Sequence, residues 1–382
     1  MAIDITLNPQ PSPKVEYELA DQDVTISDGN NRPFCNLGGF MFDRIHRPAP
    51  RRLELAGLLL GLFYCCSTSF AADKVLVPQI EGKWWQVAGS PDLGKYTTEA
   101  QQPVDFAVWQ AADGTWQLWS CIRATSYPGA TRLFYRWEGG RLTDSNWKPM
   151  GIAMTSDTKL GEMEGYLQAP YVMRYHGEFL MFYGDGNQIA LAKSKDGKVF
   201  VRRLMPDGKV GMFTNGVGTR DPDVIRVKDL FYLYYSANSG AALASGDLQG
   251  PVDRKSLEAN PNADYLRTSK DLVHWSASKR VAFGGAAGTG PWSAECPFVY
   301  FHKASGYYYL FRTQHYGENA QTNVYRSRDP TDFGIDDDRY LVETLPVAAP
   351  EIIESGGQLY IAALLPSLKG IQIAKLTWVP KP

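Results

Sequence analysis

The chain has 382 residues, with 39 Lys and Arg against 41 Asp and Glu and a formal net charge of −2. A nucleic-acid partner calls for a basic face, and no run of Lys or Arg supplies one, so nucleic acid is excluded as the expected partner. The 21 Tyr, 17 Phe, 10 Trp, 36 Gly and 24 Pro suit many short strands joined by turns, with flat rings for a core or for stacking on sugars.

Residues 1–50 show no steady hydrophobic period. The next stretch, RRLELAGLLLGLFYCCSTSFAADK at 51–74, has a basic start and an apolar core from Leu55 to Cys66. Ser69 and Ala71 stand at the −3 and −1 positions of a cleavage site. The expectation is a signal peptide at 51–71, translation starting near residue 50, and 1–50 as a disordered, over-extended N-terminus. A buried helix is the competing reading, and Glu54 inside the segment departs from the signal pattern. The apolar run is too short to span a bilayer. A secreted or periplasmic chain with no stable membrane insertion of its mature part is therefore expected. Cleavage would remove Cys35, Cys65 and Cys66 and leave Cys121 and Cys296. Those two form neither a disulfide framework nor a metal-ligand spacing, and free buried thiols are expected.

Five segments then share one pattern: a short strand, a polar or Gly turn, and an aromatic-rich strand. They begin at Gln102 (QPVDFAVWQAADGTWQLWSCIR), Gln168 (QAPYVMRYHGEFLMFYG), Arg220 (RDPDVIRVKDLFYLYYSA), Glu295 (ECPFVYFHKASGYYYLFRT) and Ala348 (AAPEIIESGGQLYIAALL). The alternation is that of strands and not of helices. Between them recur KSKDGKVF (193–200), TSKDLVHW (268–275) and RSRDPTDF (326–333), each with Ser, a basic residue, Asp and then an aromatic. LTDSNW at 142–147 is a degenerate first copy. Ser and Asp can bond nearby backbone amides in a turn, so these octapeptides mark outer hairpins whose aromatic packs between sheets. Five units of roughly 60 residues, each a small antiparallel sheet, describe an all-β, five-bladed β-propeller. The last unit has room for about three strands, and GKWWQVAG at 82–89 is expected to close the ring. No linker divides 73–382, which is read as one catalytic domain.

In a propeller the inner strands of all blades open onto one face. Acids at the head of different inner strands therefore converge, and Asp105, Asp221 and Glu295 qualify. Hydrolysis of a glycosidic bond needs such a pair, one carboxyl delivering a proton and the other attacking or activating water. Arg220-Asp221-Pro222 and Glu295-Cys296 resemble the RDP and EC motifs of glycoside hydrolase family 32. The order Asp, Asp, Glu over blades one, three and four is similar to that of family 43. The resemblance covers about 80–382. It implies a five-bladed propeller glycosidase in which Asp105 is nucleophile or general base, Asp221 stabilises the transition state, and Glu295 is the general acid. It departs at blade one, where QPVDFAVW replaces the Asn-Asp-Pro-Asn-Gly signature of family 32. RDP recurs at 328–330, where it belongs to a hairpin.

Further expected substrate contacts are Arg220, Gln168, Glu164, Trp109, Trp292 and His315, with Tyr316 at the rim. Asp185 in YGDGN is read as a turn residue. The expected partner is a carbohydrate, and no cofactor is expected. The resemblance admits a structural calcium in the channel without identifying its ligands. A non-catalytic carbohydrate-binding propeller is the main alternative. A sialidase is disfavoured because three clustered arginines are not evident and that fold has six blades. A lyase acting on acidic sugars through Tyr and His chemistry is a third possibility. Sugar, linkage, stereochemistry and oligomeric state stay open.

Overall fold

The structure is a computed structural model, and it describes residues 74–216, 218–238 and 261–382. The expected N-terminal extension (1–50) and signal peptide (51–71) lie outside the described residues. Among the described residues no helix is long and apolar enough to cross a membrane.

Leu76–Gly89 (β1) is the first strand among the described residues but belongs to the last blade. Blade I holds Gln102–Gln110 (β2), Trp116–Arg123 (β3), Leu133–Gly139 (β4) and Lys148–Met154 (β5). Blade II holds Gln168–Tyr175 (β6), Glu178–Gly184 (β7) and Ile189–Ser194 (β8). Its outer edge is split between Val201–Arg202 (β9) and Gly211–Phe213 (β10), both paired to β8. Blade III holds Arg220–Val227 (β11), Leu230–Asn238 (β12), Asn262–Ser269 (β13) and Lys279–Ala282 (β14). Blade IV holds Glu295–His302 (β15), Tyr307–His315 (β16), Gln321–Ser327 (β17) and Leu341–Leu345 (β18). Blade V holds Glu351–Ser355 (β19), Gln358–Leu364 (β20) and Gly370–Pro380 (β21), with β1 antiparallel to β21 as its outer strand. The fold is thus a five-bladed propeller, closed by the first strand of the described domain pairing with its last.

The blades are buried on both faces, so successive side chains of one strand enter different cores. Leu233 and Tyr235 of β12 pack with Leu180 and Phe182 of blade II, while Tyr234 between them packs with Val299 and Leu310 of blade IV. In β16, Leu310 faces blade III, and Tyr309 and Phe311 face Ile361 and Ala363 of blade V. This is why runs such as YYYLFRT are aromatic at consecutive positions. Each ring or branched chain so buried stabilises the ring of blades by roughly 1.5–3 kcal/mol.

The Ser-x-Asp segments lie where the third strand of a blade turns toward its outer edge. Ser194 Oγ donates to Asp196 Oδ1 at 2.7 Å and accepts from the Gly197 amide, while Asp196 accepts from the Lys198 and Val199 amides. Ser269 and Asp271 repeat the pattern. The aromatic that follows packs on the preceding blade. Phe200 meets Trp109 and Trp119, Trp275 meets Phe213, and Phe333 meets Tyr234. In the degenerate copy the Trp147 amide donates to Val87 O of β1 at 2.8 Å.

Candidate active site

Each inner strand begins with the same kink. Asp105, Ala169, Asp221, Cys296 and Ala349 occupy equivalent places in the five blades, with φ of 42°, 50°, 55°, 49° and 48°. Pro follows in four of them, as Pro170, Pro222, Pro297 and Pro350. The strand pairing slips at the same point in blades I to IV, between Val104 and Phe106, Gln168 and Tyr171, Arg220 and Asp223, and Glu295 and Phe298. A left-handed conformation costs a residue with a Cβ about 1–2 kcal/mol, and such bulges re-aim side chains. Asp105 and Asp221 consequently border both the narrow channel below the kinks and the cavity above them.

That cavity encloses about 390 Å³. At its floor Arg220 Nη2 donates to Glu295 Oε1 at 2.8 Å, and its Nε stands 3.5 Å from Asp221 Oδ2. Arg220 is aimed by its remaining donor, Nη1, which bonds Gly218 O at 2.6 Å and Asn238 Oδ1 at 2.7 Å. The Cys296 amide donates to Asp221 Oδ2 at 3.1 Å, and the Cys296 thiol bridges Asp105 Oδ1 (3.4 Å) and the Tyr316 hydroxyl (3.3 Å). Carboxylates from blades I, III and IV thus share one bonded network.

Burial drives the Asp221 carboxyl up to about 7; Arg220 opposes this, and the charges of Asp105 and Glu295 add to it. Burial alone would lower the Arg220 guanidinium, but Glu295 and Asp221 outweigh it and hold the group firmly charged. Burial, then the neighbouring acid charges, keep the Cys296 thiol well above its usual range. The Tyr316 hydroxyl is likewise raised, first by burial. Both thiols are free.

Of the residues expected at the site, Asp105, Asp221, Glu295, Arg220, Gln168, Trp292, His315 and Tyr316 line the cavity. Trp109 and Glu164 do not. Trp109 is in the blade I–II core, its indole donating to Gly197 O at 2.8 Å, because side chains of an inner strand beyond the kink face neighbouring blades. Glu164 is exposed, and its backbone carbonyl accepts from the Ala130 amide instead. Asp185 is a turn residue, accepting from the Asn187 and Gln188 amides. The channel below the kinks is bordered by Asp223, Glu351 and Tyr171. No group of three or more His, Cys, Asp or Glu side chains among the described residues is arranged to hold a metal ion.

One expectation is corrected. Three arginines do cluster, because Arg123 and Arg132 join Arg220 around the cavity. They close the two ends of the loop RATSYPGATR between β3 and β4. A second strand runs back to the face where the inner strand starts, so its last residues and the following loop border the cavity. Gln314 and His315 of blade IV do so by the same rule. That register was the available signal for Arg123, Arg132 and Gln314.

No protein-family model matches the chain, and no curated protein matches it. Solved structures do. A thermostable family-43 glycoside hydrolase matches at 18% identity and a TM-score of 0.51, over 73% of this chain and 89% of the other. An endo-arabinase from Bacteroides thetaiotaomicron VPI-5482 matches at 13% identity and 0.51, over 76% and 97%. A β-xylosidase/α-arabinofuranosidase from a compost microbial metagenome, solved with xylotriose, matches at 16% identity and 0.51, over 79% and 96%. The chain therefore carries the five-bladed β-propeller fold that these family-43 glycoside hydrolases share.

Proposed function

We propose that the protein is a glycoside hydrolase that cleaves a glycosidic bond in an oligo- or polysaccharide. The observation that carries this reading is the single network joining Asp105, Asp221 and Glu295 at the floor of a sugar-sized cavity. Glu295 is the general acid: Arg220 holds its Oε1, leaving Oε2 to protonate the leaving oxygen. Asp105 is nucleophile or base on the other side of the sugar. Asp221 keeps Arg220 and the Cys296 amide in register and places a part-charged carboxyl near the developing oxocarbenium ion. The solved neighbours that act on xylose- and arabinose-containing glycans support the reaction class. Export of the chain is proposed on the signal-like segment at 51–71.

The test is sugar release by the purified protein from a broad glycan panel, beside Glu295→Gln. The amide still accepts from Arg220 but has no proton to give, so release is expected to fall about 10²- to 10⁴-fold. Equal release by both proteins removes Glu295 as the acid. Binding without release by either supports a carbohydrate-binding propeller instead.

A further inference from the structure

The three guanidinium groups at the cavity are not equivalent. Arg220 is spent on Glu295 and Asp221. Arg123 and Arg132 form no ion pair among the described residues. Arg123 Nε donates to the Gln102 amide oxygen at 2.9 Å, and Arg132 Nη1 donates to Gln168 Oε1. Arg132 is held in place from every side. Its amide bonds Gly165 O at 2.7 Å, its guanidinium lies 5.1 Å from the centre of the Tyr166 ring, and its loop is fastened by the Ala130 amide to Glu164 O. The approach is close enough that a Cβ on Gly165 would fall 2.1 Å from Pro128 O. An immobilised cation whose partners are all neutral is costly unless an anion completes it.

A second observation points the same way. Gln168 is 2% exposed, and because its oxygen faces Arg132 its Nε2 donor is left with no partner. The unpartnered Gln168 donor therefore stands at the cavity beside the Arg132 guanidinium, which meets only one acceptor, and Arg123 adds a second cation. Planar guanidinium and amide donors match the two oxygens of a carboxylate. Gln314 Oε1, also buried and unpartnered, supplies an acceptor for a hydroxyl of the same ligand. Asp105 and Glu295 lie near enough to sense the Arg132 charge, and neither is in ion-pair contact with it.

We propose that the sugar bound in this cavity carries a carboxylate, making the substrate class a uronic-acid-containing glycan, with Arg132 and Gln168 as its specificity-determining contacts. This rests on the hydrolase reading above for the reaction but not for the binding. The test is calorimetric titration of the Glu295→Gln protein with methyl uronides, the matching neutral methyl glycosides and their sulfated counterparts, followed by hydrolysis of the corresponding nitrophenyl glycosides by the parent. Uronides are expected to bind about tenfold to a hundredfold more tightly than neutral sugars. That preference should weaken in high salt, collapse toward one in Arg132→Met and survive in part in Arg132→Lys. Arg123→Met, at a half-buried position, gives a second reading if Arg132→Met does not fold, and is expected to lower the preference severalfold. A preference near one in the parent overturns the proposal, as does an equal preference in parent and arginine variants. Equal binding of sulfated sugars overturns the carboxylate assignment. Uronide binding without hydrolysis of any glycoside would sink the hydrolase reading alone. Hydrolysis of neutral glycosides without uronide preference would sink this proposal alone.

Discussion

Three aspartates are buried, Asp221 at the cavity floor, Asp223 in the channel below it and Asp264 in β13 opposite Arg312, and burial is the largest cause raising each, to about 7, about 8 and about 7. In the unfolded chain such groups titrate near 3.9. Between about pH 4 and pH 8 the folded protein holds protons that the unfolded chain has released, so stability falls as pH rises through that window. Asp223 isolates the effect. Its Oδ2 accepts from the Val299 amide at 2.9 Å, tying blade III to blade IV, and its Oδ1 is buried without a partner. Asp223→Asn keeps the acceptor and removes the titration. It is expected to match the parent Tm near pH 4 and exceed it by several degrees at pH 8, as read by calorimetry. A parallel pair of Tm curves would show that Asp223 does not titrate in the window. At this scale the sequence pointed to the acids through their place at the strand heads. Arg123 and Arg132 were not legible, because an Arg at the end of a second strand or in the loop after it has no compositional mark.

The β3–β4 loop is an element whose fit decides the cavity's shape. Gly165 has φ 63°, and an added Cβ would meet Pro128 O at 2.1 Å and the Ala130 and Thr131 amides at 3.0 Å. Gly177, in the β6–β7 turn, has φ 76° and open space around it. Both Gly→Ala changes carry backbone strain of roughly 1–3 kcal/mol, but only Gly165→Ala must also push the loop off blade II. Uronide binding is expected to weaken at least severalfold in Gly165→Ala and to stay near the parent value in Gly177→Ala, at similar losses of Tm. Equal binding in the two variants would mean that the clamp does not position Arg132. The outer hairpins behave differently. Their Ser-x-Asp pattern is a local hydrogen-bonding unit complete within eight residues, which is why it was readable from the chain alone.

Across the whole molecule, the ring closes through β1 on β21, from Leu76 opposite Pro380 to Gly89 opposite Gly370, and the Lys381 amide reaches Val75 O at 2.7 Å. The ends of the domain are therefore neighbours. Deleting 74–89 exposes an edge of β21 and one face of the blade I core, and loss of a cooperative thermal transition is expected. A circular permutant joining 382 to 74 through a short linker, with new ends in the Asp113–Gly114 turn, keeps every pairing and is expected to unfold cooperatively within a few degrees of the parent. If the deletion melts like the parent, closure by β1 does not hold the ring.

Strand period, the five-fold repeat and the hairpin turns were all determined by residues close together in sequence. Local hydrogen bonding and alternation of two buried faces suffice to specify them. The kinks were not legible, because the residues at positive φ are Asp, Ala and Cys and not Gly, and only the Pro after four of them leaves a trace. Nor was the pairing of Arg220 with Glu295, 75 residues away, or the meeting of Cys296 with Asp105. Those contacts exist only once five separately specified blades are packed around one axis. Their angular order, which no single blade encodes, decides which side chains share the cavity.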